Sequence, residues 1–458
     1  MTVTTPPTAE LRAAVRGPVV CAGDGDYDTA RRVWNRGVDR TPLVVVRCVD
    51  EGDVVTAVRF ARDNGLPLSV RAGGHDWAGR SVRDGGVVVD LSAMRGVTIR
   101  DGTTHGAIGV VRGGARAGDV SAAVAPHGFA AVLGTVSHVG VAGLTLGGGY
   151  GHLIGRHGLA SDNLLAARVV LADGTAVTAR ADEHPDLFWA LRGGGGNFGV
   201  VTELCYQLHP LRTVLGGAVM FGLDAAPSVL RGYRELTAAA PDELNVIACL
   251  FTSPMGQVLA LLPIWCGDPA DGEAHVGAVA SLGEPLAVQI GQLTLPDVLG
   301  LVDGNVADDR QACADSRWLP GQLSDDATDL LVAAFAEVSS PYSAVAVHHF
   351  HGAACRVPAE ATAWAMRTEH RQVEIIASWP ADDPRDIHRE WVRALSSALA
   401  PHALPGGYPN LLGTDEHERV RLAHGASLDR LRNVKRQYDP DRVFAAVAGV
   451  EDESRRTP

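Results

Sequence analysis

The chain has 458 residues, 46% hydrophobic and 20% charged, with a formal net charge of −13. That is length for two or three domains of ordinary globular composition. An acidic chain without a basic run excludes nucleic acid and anionic membranes as partners, since both need clustered Lys or Arg.

The opening MTVTTPPTAELRAAVRGP lacks the apolar core of a signal peptide, and no stretch is long and apolar enough to span a bilayer; a cytoplasmic protein is expected. The seven cysteines are scattered, without a CxxC pair, so neither a zinc site nor a disulfide framework is expected. Nearly all the positive charge is arginine, the only lysine being Lys435, and that preference reads as codon bias rather than function.

In chain order, LVVVRCV (43–49) is a strand. Asp50 is the N-cap of a helix with Asp53 in its first turn, and Val54, Ala57, Val58 and Ala61 at helical spacing. Asn64-Gly65 ends it. LPLSVRA (66–72) is the next strand and runs into RAGGHDWAGRS (71–81); GVVVDLS (86–92) follows as another. These form an α/β unit. Residues 105–128 read as a strand, a Gly-Gly turn and a helix through Val120–Val124. GTVSHVGVAGLTLGGGYGHLIGRHGLASDNL (134–164) holds too many glycines for a helix core and reads as backbone packed against a ligand. RVVLADGTAVTA (168–179) is a hairpin turning at Asp173-Gly174.

From 216 to 405 glycine thins out. GQVLALLPIWC (256–266) and SAVAVHHFHG (343–352) read as sheet; ATDLLVAAFAEV (327–338) and PAEATAWAMRTEHR (358–371) read as helix. In the tail Leu428, Leu431, Val434 and Tyr438 share a helix face, stopped by Asp439-Pro440.

Residues 194–199, GGGNFG, match GxGxxG in form. A Rossmann site needs a strand before it and a helix after; here a helix (186–191) precedes and a strand (200–208) follows, so that reading is rejected. GGGYG (147–151) lacks the Lys-Ser/Thr ending of a P-loop but can offer backbone N–H groups to phosphates. Four glycine loops between residues 71 and 199 are best explained by one large, phosphate-bearing cofactor. His75, after two of these glycines, is either a surface histidine or a neutral imidazole nucleophile.

YDTARRVWN (27–35), DVVTAVRFARDNGLPLSVRAGGHDWAG (53–79), TLGGGYGHLIGRHGLASDNL (145–164), RGGGGNFGVVTE (192–203) and YDPDRVF (438–444) together resemble the FAD-linked oxidases of the vanillyl-alcohol oxidase superfamily. The resemblance is to the berberine-bridge-enzyme-like, 6-hydroxy-D-nicotine-oxidase-like group. It implies an α+β fold: a two-lobed PCMH-type FAD-binding domain (1–215), an α+β substrate domain with a large antiparallel sheet (216–405), and a C-terminal segment (406–458) returning to the FAD domain. It implies FAD linked covalently through His75, with Arg71, Ala72, Gly73, Gly74 and Asp76 around the pyrophosphate. Gly134, Thr135, Ser137, Val139, Gly140, Gly143, Gly147, Gly148 and Gly151 would line the ring and ribityl chain. Val200 and Val201 would hold the adenine, and Tyr408 and Asn410 would also touch the flavin.

The departures are specific. Val136 stands where some members carry a second, cysteinyl link, so one covalent bond is expected. Val139 resembles the small residue of oxygen-permissive members. A YxNY motif reads Tyr408-Pro409-Asn410-Leu411, so its closing tyrosine is absent, and the tail FxxNxN reads Phe444-Ala445-Ala446-Val447-Ala448-Gly449 without its asparagines.

HHFHG (348–352) reads as a strand, and the resemblance implies that it belongs to the sheet roofing the flavin. Period-two geometry sets His349 and His351 on one face and His348 on the other. His349 and His351 are taken as substrate-facing, with Tyr408 the third candidate base. The function expected is an FAD-dependent oxidase taking a hydride from a small alcohol, amine, sugar or secondary metabolite and reducing O2 to H2O2. The alternatives are a dehydrogenase with another acceptor, or a flavin-binding protein without turnover. No metal is expected.

Overall fold

The computed structural model describes residues 8–102, 106–445 and 450. The first seven residues, read for a leader, and positions 446–449 of the tail motif lie outside them.

Three sheets carry the molecule among the described residues. The first contains β1 (Val19–Cys21), β2 (Val44–Arg47), β3 (Leu68–Arg71) and β4 (Val87–Asp90), in the order β1-β2-β4-β3. β2, β4 and β3 run parallel. Val44–Val46 and Val87–Val89 are wholly buried, as continuous apolar strands of a covered parallel sheet should be. The helix Glu51–Asp63 is capped by the Asp50 side chain on the Asp53 N–H and buries Val54, Ala57, Val58 and Ala61. β3 and β4 end together on a buried ion pair, Arg71 Nη2 to Asp90 Oδ2 at 2.7 Å. Arg71 also donates to the Arg32 carbonyl, and Asp90 accepts the Ser92 N–H. A pair satisfied this way fixes where the next loop leaves β3.

The second sheet holds β5 (Val97–Gly102), β6 (Gly106–Arg112), β8 (Leu164–Val170), β9 (Ala176–Arg180) and β10 (Val200–Gln207), ordered β5-β6-β10-β8-β9. A short ribbon, β7 (Phe129–Ala130) with β11 (His209–Pro210), leads to the third. That sheet is antiparallel and has seven strands: β12 (Val214–Gly222), β13 (Leu244–Ser253), β14 (Gly256–Trp265), β15 (Ala287–Leu293), β16 (Arg310–Pro320), β17 (Ala344–Phe350) and β18 (His370–Pro380). Alternation splits its faces. Leu250, Val345, Val347, Val373 and Ile375 pack under the helices Ala226–Ala238, Asp325–Ala336 and Ile387–Leu399. The other face looks toward the first two sheets.

The tail returns to both. Leu431 and Val434, on the helix Leu428–Tyr438, enter the core of the second sheet, and Phe444 enters that of the first. Lys435 is not incidental: its buried Nζ donates to the Asn197 carbonyl (2.7 Å), to Asp439 and to the Phe444 carbonyl, tying the tail to the 194–199 loop.

Two expectations are corrected. Residues 358–371 form only a turn at Ala359–Ala361 and then run extended into β18. The Ala363 and Trp364 N–H groups bond the Trp189 and Arg192 carbonyls, so tertiary bonding overrides local helix propensity. Conversely, Val141–Leu146 is a short helix despite its glycine.

Burial holds His152 at about 3, and His370 and His424 at about 4. Because these folded values lie below the unfolded 6.5, the stability they carry is complete above pH 6.5 and is lost as pH falls toward 4. At pH 5 each costs about 2 kcal/mol. Urea unfolding at pH 7 and 5 should show this drop, and His424→Leu should remove about one histidine's share of it.

Candidate functional site

The glycine loops and the open face of the third sheet enclose a cavity of about 780 Å³. Its floor is set where two loops cross. A Cβ on Gly73 would sit 2.3 Å from the Gly140 nitrogen, and one on Gly140 would sit 2.4 Å from the Gly73 nitrogen. No other residue allows backbones that close. At Gly143 a Cβ would meet nothing within 4 Å, and Gly143 lines the cavity. Its helix therefore turns a bare backbone face toward whatever fills the space.

His75 leaves this crossing half-buried, stacked on Trp34 with centroids 4.9 Å apart. Its Nε2 lies 2.6 Å from Nδ1 of His138. Two neutral imidazoles at this distance share one hydrogen, and which ring donates is set by the tautomer. In the tautomer with its proton on Nε2, His75 donates to His138 and keeps its lone pair on Nδ1. Burial, with the charges of His138 and Arg116, pushes His75 down to about 3, so the ring is a neutral base at working pH. Burial lowers His138 as well, against the opposing pull of Asp303.

A second polar group closes the cavity where roof meets floor. The Tyr150 hydroxyl donates to Glu374, and Glu374 Oε1 lies 3.5 Å from His348 Nε2. The Tyr150 ring meets Tyr408 and His348 edge-on at 4.8 and 5.0 Å. Asn410 Nδ2 donates to the Tyr408 hydroxyl and the Gly143 carbonyl, both at 3.2 Å. Burial alone would raise Glu374, but His348 and the Tyr150 hydroxyl outweigh it and hold the carboxyl below its ordinary 4.5. Burial raises the Tyr150 and Tyr408 phenols. At neutral pH the carboxylate is ionised and both phenols keep their protons.

Most of the expected cofactor residues meet in this cavity. Ala72, Gly73, Gly74, His75 and Asp76 line it from the first loop; Gly134, Thr135, Val139, Gly140 and Gly143 from the second; Val201, Tyr408 and Asn410 complete the set. The others stand behind it. Arg71 holds the ends of β3 and β4. The Ser137 N–H donates to Asp303. Gly147 packs on Asn410, Gly148 on Trp364, and Gly151 on the Leu133 carbonyl. Val200 lies in the core of the first sheet.

The histidine faces are reversed from the expectation. His349 and His351 do share a face, but it is the helix-covered one: their rings stack at 4.2 Å, His349 bonds Glu369 and His351 abuts Gly155. His348 faces the cavity. Alternation separates the pair from the single residue, but cannot tell which face is roofed by helices. His138, Tyr150 and Glu374 were not foreseen as site residues. Tyr150 had a signal, inside GGGYG; Glu374 had only its alternation in RQVEIIASW.

Residues 42–180 match the FAD binding domain family, and residues 407–451 match the berberine and berberine-like family. The chain is 32% identical over 473 residues to the FAD-linked oxidoreductase pgmH of Aspergillus terreus, covering 95% of this chain and 94% of that one. It is 42% identical over 236 residues to (R)-6-hydroxynicotine oxidase of Paenarthrobacter nicotinovorans, about half of each chain (51% and 50%). A solved structure of 6-hydroxy-D-nicotine oxidase from Arthrobacter nicotinovorans has a TM-score of 0.86 at 26% identity, covering 98% of this chain and 99% of that one.

Gly73→Ala and Gly140→Ala should each force the crossing apart, lowering stability by about 2 kcal/mol or more. Thermal unfolding and the ratio of flavin to protein absorbance check this: both should fall, and a fully loaded, equally stable variant would contradict the crossing.

Proposed function

The chain belongs to the berberine-bridge-like FAD-linked oxidoreductases, and on that premise we propose that it is an oxidase of a small molecule, with its FAD linked covalently through His75. The observation that carries this reading is one cavity holding both a neutral His75 and an ionised carboxylate, Glu374.

The residues suit FAD. The cavity has room for a ligand of that class, the glycine loops offer backbone N–H groups and a bare face at Gly143, and His75 presents a neutral imidazole whose Nε2 is engaged by His138. Bound FAD supplies a two-electron acceptor that takes hydride from substrate and is reoxidised by O2, giving H2O2. Val136 offers no sulfur, which supports a single link. Val139 lines the cavity, and its small side chain supports access for O2.

The chain's own residues then handle the proton. Glu374 accepts the O–H or N–H proton of the substrate as its hydride leaves. Tyr150 and His348 orient that carboxylate and keep it ionised. Asn410 holds the Tyr408 hydroxyl in place as a donor beside it. Glu374 thus takes the part expected of His349 and His351.

Glu374→Gln should lower kcat about 100-fold or more with FAD content unchanged. Because the Glu374 pKa is depressed below 4.5, its acid limb should appear only below that pH. His138→Ala should leave FAD bound but cut the fraction that survives acid precipitation about tenfold or more. To test the oxidase reading, the flavin is photoreduced anaerobically and mixed with air. Recolouring in seconds supports an oxidase; recolouring over minutes points to the dehydrogenase alternative.

A further inference from the structure

A second cluster of reactive side chains lies outside the flavin cavity, where two helices on the covered face of the third sheet meet. Ser339 follows the end of the helix Asp325–Ala336, and His388 stands in the first turn of the helix Ile387–Leu399. Ser339 Oγ lies 2.8 Å from His388 Nδ1, and Asp383 Oδ2 lies 3.3 Å from His388 Nε2. None of the three lines the cavity. The buried His388 ring is clamped, stacked on Trp379 with centroids 5.0 Å apart. The loop carrying Asp383 is tied down in turn: its main-chain carbonyl accepts from Gln311 Nε2 and from Trp379 Nε1, both at 3.2 Å. Trp391 Nε1 donates to the Ala334 carbonyl at 2.8 Å and joins the two helices.

The side chain and N–H of Arg385 bond Asp383 and hold its carboxyl below the ordinary range, so it is a carboxylate. A carboxylate only accepts. In the neutral His388 ring the proton therefore sits on Nε2, and the lone pair on Nδ1 is aimed at the Ser339 hydroxyl. That is the tautomer a general base needs, and either ring nitrogen can serve once the other carries the proton. Ser339 is half-buried, so a ligand can reach its Oγ. The Ser339 and Ser340 N–H groups enter no backbone hydrogen bond and remain available to a developing oxyanion. A latch between helix ends would need neither feature.

We infer that Ser339, His388 and Asp383 form a second active site, one that hydrolyses short acyl esters. Ser339 Oγ attacks the ester carbonyl carbon as its proton passes to His388 Nδ1. The ester C–O bond then breaks, and the alcohol leaves with that proton. Water, the only co-reactant, gives a proton to Nδ1, adds to the acyl carbon and releases the acid, and Ser339 recovers its hydrogen. Asp383 touches no reacting atom and is a positioning residue. Phe335 and Trp379 are buried in the core beneath, so the acyl group stays at the surface and a short one suits it.

The test uses the full-length protein and two probes: p-nitrophenyl acetate, and a fluorophosphonate whose P–F bond is exchanged for a P–Oγ bond. The wild type should release nitrophenol with saturation kinetics and carry the phosphonyl group on Ser339, located by peptide mass. Ser339→Ala and His388→Gln should each lower that release about tenfold or more. Asp383→Asn should lower kcat by a similar factor with KM held, a split that loss of a merely structural bond would not give. Flavin content and the visible spectrum of the flavin should be the same in all of them. Release unchanged in Ser339→Ala overturns the site, and so does a wild-type protein that takes no label or takes it at another residue. Should the variants fold poorly, the position of the label on the wild-type protein decides alone. Neither result bears on the oxidase reading, because the cluster shares no residue with the cavity.

Discussion

Two backbones pass within contact distance at Gly73 and Gly140, and the site is built outward from that crossing. One strand of it is anchored by β3, whose end is fixed by the buried Arg71–Asp90 pair. The other is anchored by the segment before the helix Ala117–Val124: the Ala117 and Gly118 N–H groups bond the Val139 and Ser137 carbonyls, and the Val141 N–H bonds the Ala115 carbonyl. With both loops pinned, His75 and His138 face each other at 2.6 Å rather than pointing into solvent. Because His138 engages Nε2 of His75, the ring nitrogen left for chemistry is Nδ1. Geometry fixed by two missing side chains thus becomes chemistry at a third.

The roof works by a different principle. An antiparallel sheet with one face under helices must put alternate residues into two environments. The third sheet uses one set for its core and the other for the cavity. Glu374 stays ionised, although buried, because β17 brings His348 beside it and the floor brings Tyr150. Neither sheet nor floor alone supplies that arrangement, so the polar cluster exists only when the two halves are assembled. The tail contributes to this assembly through Asn410 and Tyr408, and through Lys435, whose bonds to Asn197 and Phe444 hold the returning segment against the 194–199 loop.

Much of this was legible in the sequence. The strands and helix from 43 to 91 follow from apolar runs and caps, and the glycine loops between 71 and 199 announced close backbone approach. What stayed hidden depended on partners distant in the chain. Trp364 sits in a stretch with helical composition, yet its N–H is taken by a carbonyl 172 positions earlier, at Arg192. The period of HHFHG separated His348 from His349 and His351, but only the helices packed on the sheet decide which face is the cavity. Glu374 and His138 carry no local signature, since each acquires its role from a neighbour on another element. The same is true of Lys435, unremarkable in sequence and buried in the fold.

The account stands on the identity of one atom's partner. The most direct measurement is the mass of the tryptic peptide Ala72–Arg80 from enzyme purified under acid-denaturing conditions, with fragmentation to locate any added group. The account predicts that this peptide carries the mass of FAD, borne on His75. An unmodified peptide, with all the flavin released free into the acid, would contradict it.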